Sequence, residues 1–286
     1  MLVEKSDGRG LIHLAAHFGL IAVLAGLVLS DVPYWPLLMA PLGIAEIFLF
    51  TALHEATHLT AFRTEWINRV VAAICGFVIL VPAEWFRYFH FAHHRYTHDR
   101  DRDPELEGGK PETTNAYLLY LSGLTVWKGD VSTLLSNALG RIGYAYVPEK
   151  SRHRLETEAR LSLAAYAALA AGSVFLHSAA LLWSWIIPLL IGQPFLRAYL
   201  LAEHTRCPHV ANMLENTRTT FTWPLVRFIA WNMPYHAEHH AHPNVPFWKL
   251  PVFHRIVREH LKTTERGYVR FHRGLIGSLT GSAKTP

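Results

Sequence analysis

Apolar residues in this chain fall into blocks long enough to cross a bilayer, and that limits the folds open to it. A membrane helix needs about 20 predominantly apolar residues. Residues 11–29 form one such block and residues 37–53 a second. Between them, "SDVPYWP" reads as a turn with two aromatics at interface depth. Residues 161–201 stay apolar long enough for two more spans, expected over 161–179 and 184–202, with the turn near 177–185. Pro188, Gly192 and Pro194 predict a kinked last helix. The patches 70–81 and 116–127 are too short to cross and are expected to form interfacial or re-entrant helices. The expected fold class is therefore all-α and integral to the membrane. About four transmembrane helices and a helical cap (54–160 and 203–286) form a single domain over 1–286.

Charge supports this layout. The formal net charge is +5, with 27 lysines and arginines. These flank the apolar blocks rather than forming a nucleic-acid-binding stripe, so no nucleic-acid partner is expected. None lies in either predicted outer turn, and Arg197 is the exception inside a span. The positive-inside rule then puts both termini, the central segment and the cap on the cytoplasmic side. The first block is too long for a signal-peptide core and no cleavage site follows, so it is read as retained. The C-terminal "GSAKTP" carries no retrieval or lipidation motif. Two cysteines, Cys75 and Cys207, supply neither a disulfide framework nor a cysteine zinc site.

The chemistry lies in the histidines, of which there are 19. "HEATH" places His54 and His58 at i and i+4. "HFAHHRYTH" contains His90, His93, His94 and then His98. "HAEHHAH" contains His236, His239, His240 and then His242. Positions i, i+3 and i+4 share a helix face, so each cluster presents its imidazoles together. For the third cluster, Asn232 is the expected cap, Pro234 the first turn and Pro243 the stop. "AEHTRCPH" adds His204 where the last span ends.

One H-x-x-x-H pair is compatible with a packed or solvated pair. Three clusters at ligand spacing on one face are not. H-E-x-x-H is also the zinc-protease signature, with Glu55 then acting as general base. Catalytic zinc takes three protein ligands, which leaves six or more histidines unexplained. An intramembrane zinc protease makes His236, His239 and His240 dispensable. A non-catalytic metal carrier needs a ligand path through the membrane, and these clusters all sit at one face. Eight or nine imidazoles suit two metal ions with open positions. Imidazole itself accepts iron, copper, nickel or zinc, and a redox metal is what justifies so large a site beside hydrocarbon.

"HEATH", "HFAHH" and "HAEHH", in this order and spacing relative to the spans, resemble the boxes of the integral-membrane fatty acid desaturase superfamily, which includes acyl hydroxylases and carotenoid ketolases. "WNMPYHAEHHAHPNVPFWKLP" is similar to the third-box region of acyl and sphingolipid desaturases, and "HHRYTHDRDRDPEL" to the continuation of the second box in bacterial members. The resemblance runs from the second span to about Leu250. It implies two non-haem iron ions held by His54, His58, His90, His93, His94, His204, His236, His239 and His240. Leu200 stands where some members have an asparagine. The implied reaction uses O2 and external electrons to remove hydrogen from an unactivated C–H bond. Loss of a second hydrogen gives a double bond, whereas oxygen transfer gives an alcohol, so hydroxylase or ketolase activity is the alternative. No H-P-G-G haem motif is present, so a separate carrier of ferredoxin, rubredoxin or cytochrome b5 type is implied, with a lipid or long-chain hydrocarbon as substrate.

Glu55, Glu203 and Glu238 adjoin ligand positions and are expected to orient them, with His98 and His242 as further supports. Glu46, inside the second span, is a candidate for the substrate channel. His13 and His17 read as interfacial. Residues 99–107 ("DRDRDPELE") read as a solvated loop, or as a contact for a polar headgroup or electron donor, and His254 and His272 as part of a basic surface near anionic lipid.

Overall fold

The computed structural model describes residues 1–281. The last five residues of "GSAKTP" lie outside them. Helix α1 (Asp7–Leu29) begins where Ser6 accepts a bond from the Arg9 amide. Helix α2 (Trp35–Ile47) has Pro36 in its first turn, where no amide hydrogen is needed. It breaks at Phe48 and continues as α3 (Leu49–Thr57), and Trp35–Thr57 acts as one span-length unit.

The chain then makes a bent pair, α4 (Glu65–Val78) and α5 (Ala83–Tyr96), which meet at 103°. Leu80, at φ 62°, and Pro82 make the corner. The 70–81 patch therefore forms one arm of a broken span or re-entrant hairpin. The 116–127 patch is split by Gly123, at φ +72°, into α6 (Thr114–Ser122) and α7 (Leu124–Ala138). A Cβ at Gly123 would stand 2.3 Å from the Gln193 side chain.

Three described helices are long and apolar enough to span: Asp7–Leu29, Trp35–Thr57 and Leu182–His204. They cover the expected spans over 11–29, 37–53 and 184–202. The region 161–179 falls mainly in α8 (Arg152–Phe175), which is not among them. Its first nine residues include Arg152, Arg154, Glu156, Glu158 and Arg160. The turn falls near its expected place, at His177 (φ 47°). The kinked last helix is a π-helical turn, Leu182–Ile186, leading into α9 (Ile187–His204) with Pro188 and Pro194 in it.

The span Trp35–Thr57 is central, and α1 turns Ile12, Val23 and Leu29 outward. Contact between α2 and α9 depends on two glycines. A Cβ on Gly43 would lie 1.8 Å from the Pro188 carbonyl oxygen, and one on Gly192 2.1 Å from that of Gly43. Small residues let two helix backbones approach where lipid gives no hydrophobic drive to pack.

Beyond α9 come α10 (Met213–Asn216), β1 (Thr219–Thr220), α11 (Pro224–Ile229), α12 (His236–Ala241), α13 (Leu250–Val257), β2 (Thr264–Glu265) and α14 (Tyr268–Leu279). The two short strands pair in parallel, Thr219 opposite Thr264. Trp231 and Asn232 both have positive φ and turn the chain before α12. Asn232 therefore does not cap α12; its side chain donates to the Phe247 carbonyl, and Tyr235 occupies the cap position. His13 and His17 are not interfacial. His17 is fully buried, contacts the Ala45 carbonyl at 2.8 Å and accepts from the Trp231 indole, while His13 contacts the Phe228 carbonyl. They tie α1 to the segment that carries the third cluster.

Candidate metal centre

Four separate helices deliver the histidines. His54 lies in α3 and His58 at its C-terminal end. His90, His93 and His94 share α5, His204 ends α9, and His236, His239 and His240 occupy α12. Their nitrogens form two groups, each close enough to bind one ion: His54, His58, His90, His94 and His239 in the first, and His93, His204 and His240 in the second. His236 adjoins the second group, its Nε2 lying 3.2 Å from Nε2 of His204. The groups touch where His94 stacks on His240, ring centres 4.0 Å apart.

Nitrogen faces nitrogen throughout. His58 Nε2 lies 2.8 Å from His90 Nε2 and 3.2 Å from His239 Nε2. His204 Nε2 lies 3.2 Å from His93 Nε2. Two imidazole nitrogens on one first-row metal ion, each at about 2.1 Å, stand roughly 3.0–3.4 Å apart. Both ring nitrogens of His54, and Nε2 of His94 and His240, are buried without a hydrogen-bond partner. Unpaired buried nitrogens facing one another are unfavourable in a bare protein and suited to a bound cation. On α12, burial pushes His236 down to about 3 and holds His239 and His240 well below the ordinary imidazole value. These rings stay neutral, the form that binds metal.

A cavity of about 570 Å³ opens on both groups. His54 and His90 line it from the first, and His93 and His236 border it beside the second. Phe50, Trp85, Phe86 and Phe89 supply an apolar wall. The volume falls within the ~300–1,000 Å³ typical of small-molecule sites.

The sequence profile described as "Fatty acid desaturase" matches residues 30–272. The chain belongs to the fatty acid desaturase family. It is 28% identical over 259 residues to the sphingolipid delta(4)-desaturase DES1 of Drosophila melanogaster, covering 85% of this chain and 73% of that protein. It is 27% identical to the dihydrorhizobitoxine desaturase of Bradyrhizobium elkanii, covering 87% and 75%. It is 23% identical to the sn-1 oleoyl-lipid 12-desaturase of Anabaena variabilis, covering 90% and 81%. This desaturase-family chain is thus an oxidoreductase with membrane-spanning helices.

In this chain the carboxylates are deployed differently from expectation. Glu55 does not touch a histidine: one oxygen accepts from the Phe247 amide at 2.9 Å and the other has no partner. Glu238 is fully buried but holds His254 at 2.5 Å and the Thr219 hydroxyl. His254 is therefore a tether rather than a lipid-facing residue. His272 is likewise held, against Tyr117 and the Ala198 carbonyl. Glu203 does approach a ring, 3.4 Å from His236 Nδ1. His98 bonds the Asn216 carbonyl at 2.7 Å, and His242 packs against Phe253; both lie outside the two groups. Glu46 is buried, but the cavity is lined by its neighbours Ile47 and Phe50 instead.

Two residues of the supposed solvated loop are central. Asp103 is 4% exposed and accepts from His93 Nδ1 at 2.9 Å, while also accepting from the His98 and Glu105 amides. Fixing the proton on Nδ1 frees the other His93 nitrogen for a metal. Glu105 Oε2 lies 3.2 Å from His93 Nε2, and Oε1 lies 2.5 Å from Lys110. Burial opposes its ionisation, yet Lys110 and the His93 and His204 rings hold its carboxyl well below the usual range. The detectable sequence signal was Asp103–Pro104, a capping residue and proline that start a short 3-10 turn inside the charge alternation.

Proposed function

We propose that this chain is an O2-dependent, non-haem di-iron desaturase that introduces a double bond into a lipid acyl chain or a similar long hydrocarbon. The carrying observation is the pair of adjoining all-imidazole groups that border one largely apolar cavity. His54, His58, His90, His94 and His239 would hold one iron, and His93, His204, His236 and His240 the other. Bound there, the irons supply the redox chemistry that lets O2 take hydrogen from an unactivated C–H bond. The desaturase names of the relatives favour double-bond formation over hydroxylation or ketolation.

The protein's own residues set the conditions. Asp103 keeps His93 in one tautomer, and Glu203 lies 3.4 Å from His236 Nδ1. Phe50, Trp85, Phe86 and Phe89 keep water from the reacting carbon. Glu55 serves packing, bonded to the Phe247 amide, and this position does not suit the general base of a zinc protease.

The scarcity of lysine and arginine in the outer turns supports a cytoplasmic position for both termini and the histidines. Electrons then come from a separate carrier of ferredoxin, rubredoxin or cytochrome b5 type. Lipid profiling by mass spectrometry in a host expressing the chain tests the reading. The expected new species is two hydrogens lighter than its precursor. A product gaining one oxygen would instead identify a hydroxylase, and an unchanged profile with a loaded enzyme and reductant present would remove the lipid reading.

A further inference from the structure

Arg197 is the one lysine or arginine in the α9 span, and the metal centre does not use it. A charged side chain inside a span is costly and needs a reason. Gln193, Leu196, Arg197, Leu200 and Glu203 all line the cavity that opens on the histidines. Their i, i+3, i+4, i+7 and i+10 spacing makes them one face of α9, ending beside His204. At 1.5 Å rise per residue, Arg197 lies about 10 Å along the axis from His204.

Two polar groups on this face are unsatisfied. Arg197 donates through Nη2 to the Tyr120 hydroxyl at 2.6 Å and rests over the Tyr120 ring, but its buried Nε has no partner. One turn earlier Gln193 is 2% exposed, and its Oε1 also has no partner. Gly123 leaves room for the Gln193 side chain, since a Cβ there would stand 2.3 Å from Gln193 Cγ. Leaving such groups bare in a largely apolar cavity is unfavourable, so a ligand group there gains by pairing with them.

The sign of the surroundings narrows that group. Glu105, Glu107, Asp130 and Glu203 line the same cavity, against Lys110 and Arg197. A carboxylate near Arg197 would face these four acids, with Lys110 already paired to Glu105. An uncharged oxygen would not, and the Gln193 carboxamide can both donate to it and accept from it. We propose that Arg197 and Gln193 form a substrate-anchoring site for the uncharged polar group, a hydroxyl or an amide or ester carbonyl, of a long-chain substrate. This rests on the desaturase reading for the identity of the cavity, and it adds that a bare hydrocarbon or an anionic fatty acid is not the preferred occupant. The anchor holds the chain at a fixed distance from the histidines and so selects which carbon is presented.

Equilibrium binding to the purified full-length protein in detergent tests this without turnover. The probes are hexadecane, hexadecanol, hexadecanamide and palmitate. The alcohol and the amide are expected to bind at least about tenfold tighter than hexadecane, the value of one charge-assisted hydrogen bond. That advantage should disappear in Arg197→Met and shrink in Gln193→Leu, while hexadecane binding changes little. Equal binding of hexadecane and hexadecanol by the wild-type protein would overturn the proposal, whether or not the variants fold. Palmitate binding tightest, and losing most in Arg197→Met, would also overturn it by making the site an anion anchor. Failure of the desaturase reading appears elsewhere, as absent product in the host lipid profile.

Discussion

His94→Ala is expected to abolish measurable desaturation, a loss of more than about a hundredfold, or roughly 2.7 kcal/mol of transition-state stabilisation. His94 belongs to the five-histidine group and stacks on His240 of the other group. Its removal takes a nitrogen from one ion and support from a ring that serves the second. His204→Ala should be equally inactive for a complementary reason: His204 Nε2 faces both His93 and His236 at 3.2 Å, so it is the hub of the second group. His242→Ala is the matched control. It removes a histidine two residues beyond His240 that packs against Phe253 outside both groups, and it should retain most activity. Product formation in host membranes, normalised to the amount of folded protein, separates the three. Equal activity in all of them would exclude the two groups as the seat of the reaction.

The second large effect is expected at Asp103, which the sequence places in a charged surface loop. Its two oxygens serve His93 Nδ1, the His98 amide and the Glu105 amide. Asp103→Asn keeps the size and one acceptor but removes the charge that fixes the His93 proton. Loss of such an outer partner costs about 10–100-fold in metal affinity or activity. The asparagine variant should therefore retain less metal and turn over more slowly, with near-normal yield of folded protein. Asp103→Ala should be worse, because the two loop amides also lose their acceptor. A variant that folds, keeps its full metal content and works at the wild-type rate would show that Asp103 only packs the loop.

What the sequence made legible follows from helical periodicity. Ligands spaced i, i+3 and i+4 must share a face, so the clusters could be read before any coordinates. The spans around 11–29 and 37–53 were legible for the same local reason. Adjacency was a poor guide to supporting carboxylates, because neighbours on a helix point about 100° apart. Glu55 and Glu238, each next to a clustered histidine, accordingly reach Phe247 and His254 instead. Asp103 escaped notice because its burial depends on the 99–107 loop folding back on α5, a contact that alternating charge does not announce. His17 escaped notice because its partner, Trp231, is 214 residues away. The third expected span shares α8 with the charged stretch 152–160, and that helix ends at Phe175, four residues short of the expected end.

The most direct test of the central claim is elemental analysis of the protein purified from an iron-replete host, with iron and zinc counted per chain. Nine imidazoles in two adjoining groups predict about two irons per chain, falling to about one or fewer in His94→Ala and in His204→Ala. A single zinc per chain, or an iron content indifferent to both substitutions, would contradict it.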